Sequence, residues 1–213
     1  QDSPLRKAVV ISNPLGEDFS IMRTISLNGM LTSLSTNFNR RNKNVRLYEL
    51  GNIYLPKQVP VTELPEERMQ FTLGMYGEGD FFTMKGVIEE FLYKAGMKLK
   101  PEYDPEAGKP FLHPGRQANV VYDGTVIGYL GEVHPTVAAN YAIKERVYVA
   151  VLDMPEIVSR ASFDHKYEGI AKFPAAARDI SMVVPKKVLA GDIEKIFDEK
   201  GGQFLEKYDL FED

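Results

Sequence analysis

The residues best suited to chemistry in this chain are few. It has three histidines, His113, His134 and His165, and no cysteine. His113 and His134, with Glu132 two positions before the latter, are the set from which a metal site or a general base would have to be built. No His-x-x-x-His or comparable ligand spacing joins them, so no metal site is expected. His134 stands directly before Pro135, where it suits the cap of a following helix or a carbonyl contact. His113-Pro114-Gly115-Arg116 offers a different chemistry: an anion-binding corner in which Arg116 and a free backbone N–H face a phosphate or carboxylate. The same Pro-Gly pair also suits a type II turn with His113 and Arg116 at its corners, and composition favours the turn. A third feature is the basic run Arg40, Arg41, Lys43 and Arg46. It reads equally as a contact for RNA or an acidic partner and as a solvated helix end, because four cations beside three asparagines make only a modest field.

Composition narrows the classes further. Without cysteine there can be no disulfide, thiolate zinc site or cysteine nucleophile, and an intracellular home is expected. The formal net charge of -4 argues against a stand-alone nucleic-acid binder, since nonspecific affinity comes from clustered Lys and Arg neutralising phosphate. No apolar run approaches the ~18 residues of a membrane span, and the N-terminus has no signal-peptide layout, so a soluble, cytoplasmic protein is expected. At 213 residues the chain can hold one large domain or two small ones. It starts without Met and stops at Leu210-Phe211-Glu212-Asp213, as an excised segment would.

The elements that must position these residues follow from apolar periodicity. Lys7 to Ser12 reads as a short buried strand ended by Asn13-Pro14-Leu15-Gly16. Leu27, Met30, Leu31, Leu34 and Phe38 form the stripe of a helix with one buried face. Val45 to Leu55 is rich in strand formers, and Met69, Phe71, Leu73 and Met75 alternate with smaller or polar residues, predicting two antiparallel neighbours. Asp80 caps a second helix with Phe81, Met84, Val87, Ile88, Phe91, Leu92 and Ala95 inward and Gly96 as its stop. Phe82 and Tyr93 fall off that stripe.

Met97 to Tyr103 suggests another strand, followed by an irregular stretch to Gly115. Asp123-Gly124 between two strand-like runs predicts a hairpin with a type I′ turn. A short helix from Thr136 to Ile143, a buried strand from Arg146 to Leu152 and a helix begun by Pro155 come next. Past a boundary near residue 170, a strand at Arg178 to Val184, a helix at Ala190 to Lys200 and a strand at Phe204 to Phe211 are expected. The sum is an α+β chain, an antiparallel sheet carrying helices.

Several segments, in order, resemble one family. They are Asn13 to Ser20 with Met22-Arg23-Thr24, Arg46 to Gly51, Gly79-Asp80-Phe81-Phe82 with Lys85-Gly86, His113 to Arg116, Gly128 to Pro135, and Lys172-Phe173-Pro174 with Arg178-Asp179. Together they are similar to the β subunit of bacterial phenylalanyl-tRNA synthetase. The resemblance implies that residues 1-170 are a catalytic-like domain on the class II synthetase antiparallel sheet. Residues 171-213 would then be the truncated start of a ferredoxin-like anticodon-binding domain, an incomplete β-α-β. It implies packing against an α subunit in a heterotetramer of two α and two β chains, in support of ATP-dependent charging of tRNA(Phe) with phenylalanine. ATP and Mg belong to the whole enzyme, with no cofactor bound by this segment; the alternative is an RNA-binding module acting through residues 171-213.

A working class II site needs an arginine on a strand with acidic help, and a second arginine at the head of a helix after a Gly-rich strand. Arg46 and Glu49, three apart on one strand, turn to opposite faces. The Gly128 to Val133 strand is followed by a helix without arginine. With neither clamp, no charge stabilisation around a triphosphate is expected and no residue is assigned a catalytic role. The candidates that remain are interface or structural positions, Phe82, Tyr93, His113, Gly115, Arg116 and His134, and tRNA-proximal ones, Arg40, Arg41, Lys43 and Arg178.

Overall fold

The structure, a computed structural model, describes residues 3–164, 167 and 181–201. The chain forms two units, Gln1–His165 and Lys166–Asp213. The first is organised by a six-stranded sheet. Helix α1 (Leu27–Asn39) buries Leu27, Met30, Leu31 and Leu34 along the stripe its spacing predicts. It ends at Arg41, which takes φ 62°, while its N–H donates to Phe38 O at 2.9 Å and that of Asn42 to Asn37 O at 3.2 Å. This is a left-handed helix stop, the position where glycine is the usual residue.

Strands β1 (Val45–Leu55) and β2 (Glu66–Tyr76) then pair antiparallel over their whole length, from Val45 opposite Tyr76 to Leu55 opposite Glu66. Helix α2 (Phe81–Lys94) opens with the Asp80 carboxylate accepting from the Thr83 N–H at 2.8 Å, a reciprocal capping box. It stops at Gly96, φ 77°. Strands β3 (Glu102–Asp104), β4 (Leu112–Tyr122) and β5 (Thr125–Val133) follow. Asp123 and Gly124, at φ 48° and 71°, make the tight β4–β5 turn that Asp-Gly predicts. Helix α3 (Pro135–Asn140), strand β6 (Val147–Asp153) and helix α4 (Met154–Arg160) complete the unit.

The strand order is β1-β2-β6-β5-β4-β3, and every neighbouring pair is antiparallel. Because side chains alternate across a sheet, the strands feed two cores. Leu73, Met75, Val120, Ile127, Leu130 and Leu152 face α2 and α4. Val45, Tyr76, Val133, Val147 and Val149 face α1 and α3. β6 is central and buried from Val147 to Leu152, as a strand covered on both faces must be.

β1 is an edge. Tyr54 N–H donates to Arg23 O at 2.9 Å and Arg23 Nε to Asn52 O at 2.7 Å, so the even-numbered residues of β1 point their backbone groups outward. Arg23 covers only that far end; at Arg46, Tyr48 and Leu50 no backbone partner stands outside the strand among the described residues.

Four expectations are corrected. Lys7 to Ser12 forms no strand; its one ladder contact is an isolated bridge between Val10 and Ile21. Ala8, Val9 and Ile11 are only half-buried and Val10 is exposed, and among the described residues no sheet edge receives the run. Met97 to Tyr103 is extended only at its end, where β3 begins at Glu102; Met97 instead packs into the α2 core. The helix after Pro135 ends at Asn140, because Ala142 adopts φ 56° and turns the chain before Ile143. His113 to Arg116 is no type II turn: it lies within β4, where the pairing with β5 slips between Leu112 and Gln117, and Gly115 lacks the positive φ that turn requires.

In the second unit, Ala190–Gly201 is helix α5, as predicted. Residues 181–184 of the expected strand are not in a strand, while 178–180 and the expected Phe204 to Phe211 strand lie outside the described residues.

Candidate functional site

Four clusters of polar or exposed residues bear on function. At the bulge in β4, Arg116 Nη1 donates to both oxygens of Glu132, at 3.0 and 2.9 Å. Glu132 sits in β5 and is 3% exposed. Leu130, Gly131 and Val133 around it are apolar and buried, so the bulge turns Arg116 inward to meet a charge the sheet would otherwise strand. Gly131 is needed here: a Cβ would lie 2.8 Å from the Arg116 carbonyl oxygen and 3.1 Å from Gln117 Cα. His113 Nδ1 accepts from the Gly115 N–H at 3.1 Å, and His134 Nδ1 accepts from the Thr136 N–H at 3.2 Å, capping α3. Both histidines are therefore held by local backbone. A shallow cleft of about 310 Å³ runs past His113, Arg116, Glu132 and the exposed Lys144 and Arg146. Among the described residues, no three His, Cys, Asp or Glu side chains are grouped to hold a metal.

The second cluster lies on β1. Arg46 and Glu49 do turn to opposite faces: Arg46 is exposed and donates to Glu78 O at 3.4 Å, while Glu49 lies on the α1 side. There the Arg23 guanidinium donates to the Glu49 carboxylate as well as to Asn52 O. The guanidinium fills the space over Gly51, where a Cβ would collide with Nη2. Beside it, buried Thr72 donates to Ser26 Oγ and Ser26 to Gln70 Oε1, each at 2.6 Å. The carboxylate is engaged by a side chain 26 residues away in sequence, and the neighbouring hydroxyls are engaged by each other.

Nor does a helix supply the other clamp. α3 has no arginine. α4, which follows the central strand β6, opens with Met154 and Pro155; its Arg160 stands in the last turn and donates to Glu156 Oε2 at 2.5 Å and Thr125 Oγ1 at 3.0 Å. These residues do not fit a triphosphate, since each suitably placed cation is either turned away or neutralised.

On α2, Phe82 and Tyr93 are 71% and 69% exposed, on the side away from the sheet. Nearby, burial first and then the Glu89 carboxylate push the Tyr103 phenol well above its ordinary range, keeping it protonated. Arg40, Arg41 and Lys43 are all exposed at the α1–β1 connection; Arg178 and His165 lie outside the described residues.

Of the residues singled out by sequence, the structure brings together His113, Gly115, Arg116 and His134, and separates them from Phe82 and Tyr93. The sequence singled out Glu132 only beside the histidines and Arg23 only within a family-like segment; their pairings with Arg116 and Glu49 were missed. Glu132 had a readable signal, a charge within an apolar strand; Arg23 had none, because its partner is remote in sequence.

Residues 1–154 match the family described as "Phenylalanyl tRNA synthetase beta chain CLM domain". The chain is 42% identical over 212 residues to the phenylalanine--tRNA ligase beta subunit of Clostridium acetobutylicum, covering 100% of this chain and 26% of that protein. It is 33% identical to the subunit of the same name from Bacillus subtilis, covering 95% of this chain and 26% of that one. The chain thus spans about a quarter of the length of the curated relatives it matches. Among solved structures it resembles the pyrrolysyl-tRNA synthetase of Desulfitobacterium hafniense, with TM-score 0.57 and 13% identity over 74% of this chain and 54% of that one. That likeness concerns the fold, a class II synthetase-like antiparallel sheet with flanking helices.

Proposed function

Since the chain belongs to the phenylalanyl-tRNA synthetase β-chain family, we propose that it is a non-catalytic domain that packs against the α subunit of a two-α, two-β assembly. The assembly charges tRNA(Phe) with phenylalanine at the cost of ATP, with Mg, in the cytoplasm. The observation that carries this reading is the Arg23–Glu49 pair. The carboxylate that would assist a nucleotide clamp on β1 is already neutralised by the protein's own guanidinium, and the space over Gly51 is occupied by it. Adenylate formation depends on cations held ready around a triphosphate, so this arrangement supports a scaffold rather than a catalyst.

Phe82 and Tyr93 are the interface anchors in this reading: large, exposed aromatics on one side of α2, the residue types that interface centres favour. The boundary near residue 170 and the anticodon-binding assignment of 171-213 belong to the same proposal. A second reading makes 171-213 the RNA contact; that segment's own balance of seven Lys and Arg against nine Asp and Glu weighs against it.

The test is co-purification of this chain with the α subunit, alongside pyrophosphate exchange by the chain alone. Association that weakens at least tenfold in Phe82→Ala/Tyr93→Ala, with no exchange, is the expected outcome. A folded chain that does not bind the α subunit overturns the scaffold role. Exchange by the pure chain overturns its inactivity.

A further inference from the structure

The strand register gathers one set of charges at one end of the sheet. Val45 at the start of β1 pairs with Tyr76 at the end of β2, and Tyr76 with Val147 at the start of β6. Further along, Gly131 pairs with Val149 and Leu112 with Val133, which brings the end of β5 and the bulge of β4 to the same end. At roughly 4.8 Å per strand, this end runs about 19 Å from β1 to β4.

Arg40, Arg41, Lys43 and Arg46 stand at the β1 side, and Lys144 and Arg146 before β6, all exposed. The carboxylates sharing that end are Glu78, Asp80 and Glu145, also exposed, and the buried Glu132, which Arg116 occupies. Six exposed cations, of which Arg46 donates to Glu78 O, thus stand with three exposed carboxylates, of which Asp80 is held in the α2 cap, in a chain whose net charge is -4. Among the described residues, Arg40, Arg41, Lys43, Lys144 and Arg146 enter no ion pair; Arg6, Lys7, Lys98 and Lys109 likewise enter none, so what marks this end is the gathering of such cations along one line of strand ends.

The cations are also held in place. Tyr76 Oη donates to Asn42 O at 2.8 Å, Glu78 N–H donates to Asn44 Oδ1 at 3.0 Å, and Ser35 Oγ donates to Tyr141 O at 2.5 Å. These bonds seat the 42–44 and 141 segments against the end of β2 and against α1. Arg41 carries an independent sign: it sits at φ 62°, in a helix stop that glycine fits without strain. A cation kept in a backbone conformation that disfavours it points to a use for the charge.

We propose that this end of the sheet is a docking strip for the sugar–phosphate backbone of RNA, with Arg40, Arg41 and Lys43 on one flank and Lys144 and Arg146 on the other. A line of separate cations, mostly arginines, suits successive phosphates better than a single anion in a pocket. The choice of RNA over an acidic protein rests on the reading above, that this chain serves a tRNA-charging assembly. The strip is distinct from residues 171-213 and from the α2 aromatics, so its failure leaves the α-subunit test untouched.

The test titrates the 213-residue chain against a fluorescein-labelled, unmodified tRNA transcript by anisotropy, between about 50 and 200 mM KCl. With three to four phosphates neutralised, the fourfold rise in salt should weaken binding by roughly 40- to 150-fold. Lys144→Glu/Arg146→Glu should weaken it at least tenfold at the lower salt, and Lys57→Glu, at the other end of β1, should leave it unchanged. Arg41→Gly should weaken RNA binding roughly five- to tenfold while raising Tm, a pairing that a purely structural role for Arg41 would not give. No binding at the lower salt, binding indifferent to both variants, or poly-L-glutamate binding as tightly as the transcript would each overturn the proposal, the last in favour of an acidic protein partner.

Discussion

Replacing Arg116 with methionine should cost this protein far more than neutralising its partner. The two ends of the pair are unequally hydrated: the Arg116 side chain is 42% exposed and that of Glu132 only 4%. Remove the arginine and the carboxylate remains in an apolar strand without its charge partner, a situation that costs about 3–5 kcal/mol. Replace Glu132 with glutamine and the guanidinium can turn toward water, leaving a loss of about 1–2 kcal/mol. Removing both, as Arg116→Met/Glu132→Leu, takes away the buried charge and should recover at least half of the single-variant loss. Urea unfolding followed by circular dichroism reads this directly. With a slope near 2 kcal/mol/M, Arg116→Met should lower the midpoint by roughly 1.5–2.5 M, and the double variant by less than half of that. The reasoning is refuted if Arg116→Met costs less than about 1 kcal/mol, or if the double variant is no more stable than the single one.

Two further outcomes follow from the packing and the caps. At Gly128 a Cβ would collide with the Val151 carbonyl oxygen and stand 2.9 Å from Leu152 Cα, backbone that cannot yield, whereas at Gly74 its nearest neighbours would be side-chain atoms of Met30 and Leu34 at 2.7–2.9 Å. Gly128→Ala should therefore cost about 3 kcal/mol or more and Gly74→Ala about 1–2 kcal/mol, read as a Tm drop at least half again as large for the first; equal drops would contradict the rigid β5–β6 pairing. The second concerns acid. Hydrogen bonds from Thr83 hold the Asp80 carboxyl below its ordinary range, and those from Asn119 and the Glu106 N–H do the same for Asp104. Their contribution is fully present above the ordinary carboxylate value and is lost as pH falls through the lowered folded values. Asp80→Asn/Asp104→Asn should thus flatten the dependence of Tm on pH below about pH 4 and leave its slope at neutral pH unchanged.

How much of this could be read from the sequence depended on how local the cause was. α1, α2 with its Asp80 cap, the β1–β2 pair and the Asp123-Gly124 hairpin each depend on residues within a turn or two of one another, and all appear where periodicity and turn chemistry put them. Lys7 to Ser12 failed because an apolar run becomes a strand only if a sheet edge receives it, and here it makes a single isolated bridge, Val10 opposite Ile21, closed by the backbone of Val9 and Ile11. His113 to Arg116 failed for a related reason. Pro-Gly favours a turn locally, but the need to bring Arg116 onto Glu132 holds the segment in β4 as a bulge. The candidate site suffered most. The opposite facing of Arg46 and Glu49 follows from strand alternation alone, while the partner that quiets Glu49 comes from a loop no local pattern connects to it.

The uncovered stretch of β1 has a consequence for handling the protein itself. From Arg46 to Leu50 the strand presents backbone groups outward that have no partner among the described residues, flanked by Tyr48 at 74% exposure and Leu50 at 54%. Such an edge is a template for adding strands from other molecules, the first step of edge-to-edge aggregation. The charges of Arg46 and Glu49, interleaved with these apolar residues, act as gatekeepers: a stacked copy would have to bring like charges together or strip their water. Solubility of the isolated chain thus depends on the same alternation that turns Arg46 away from Glu49.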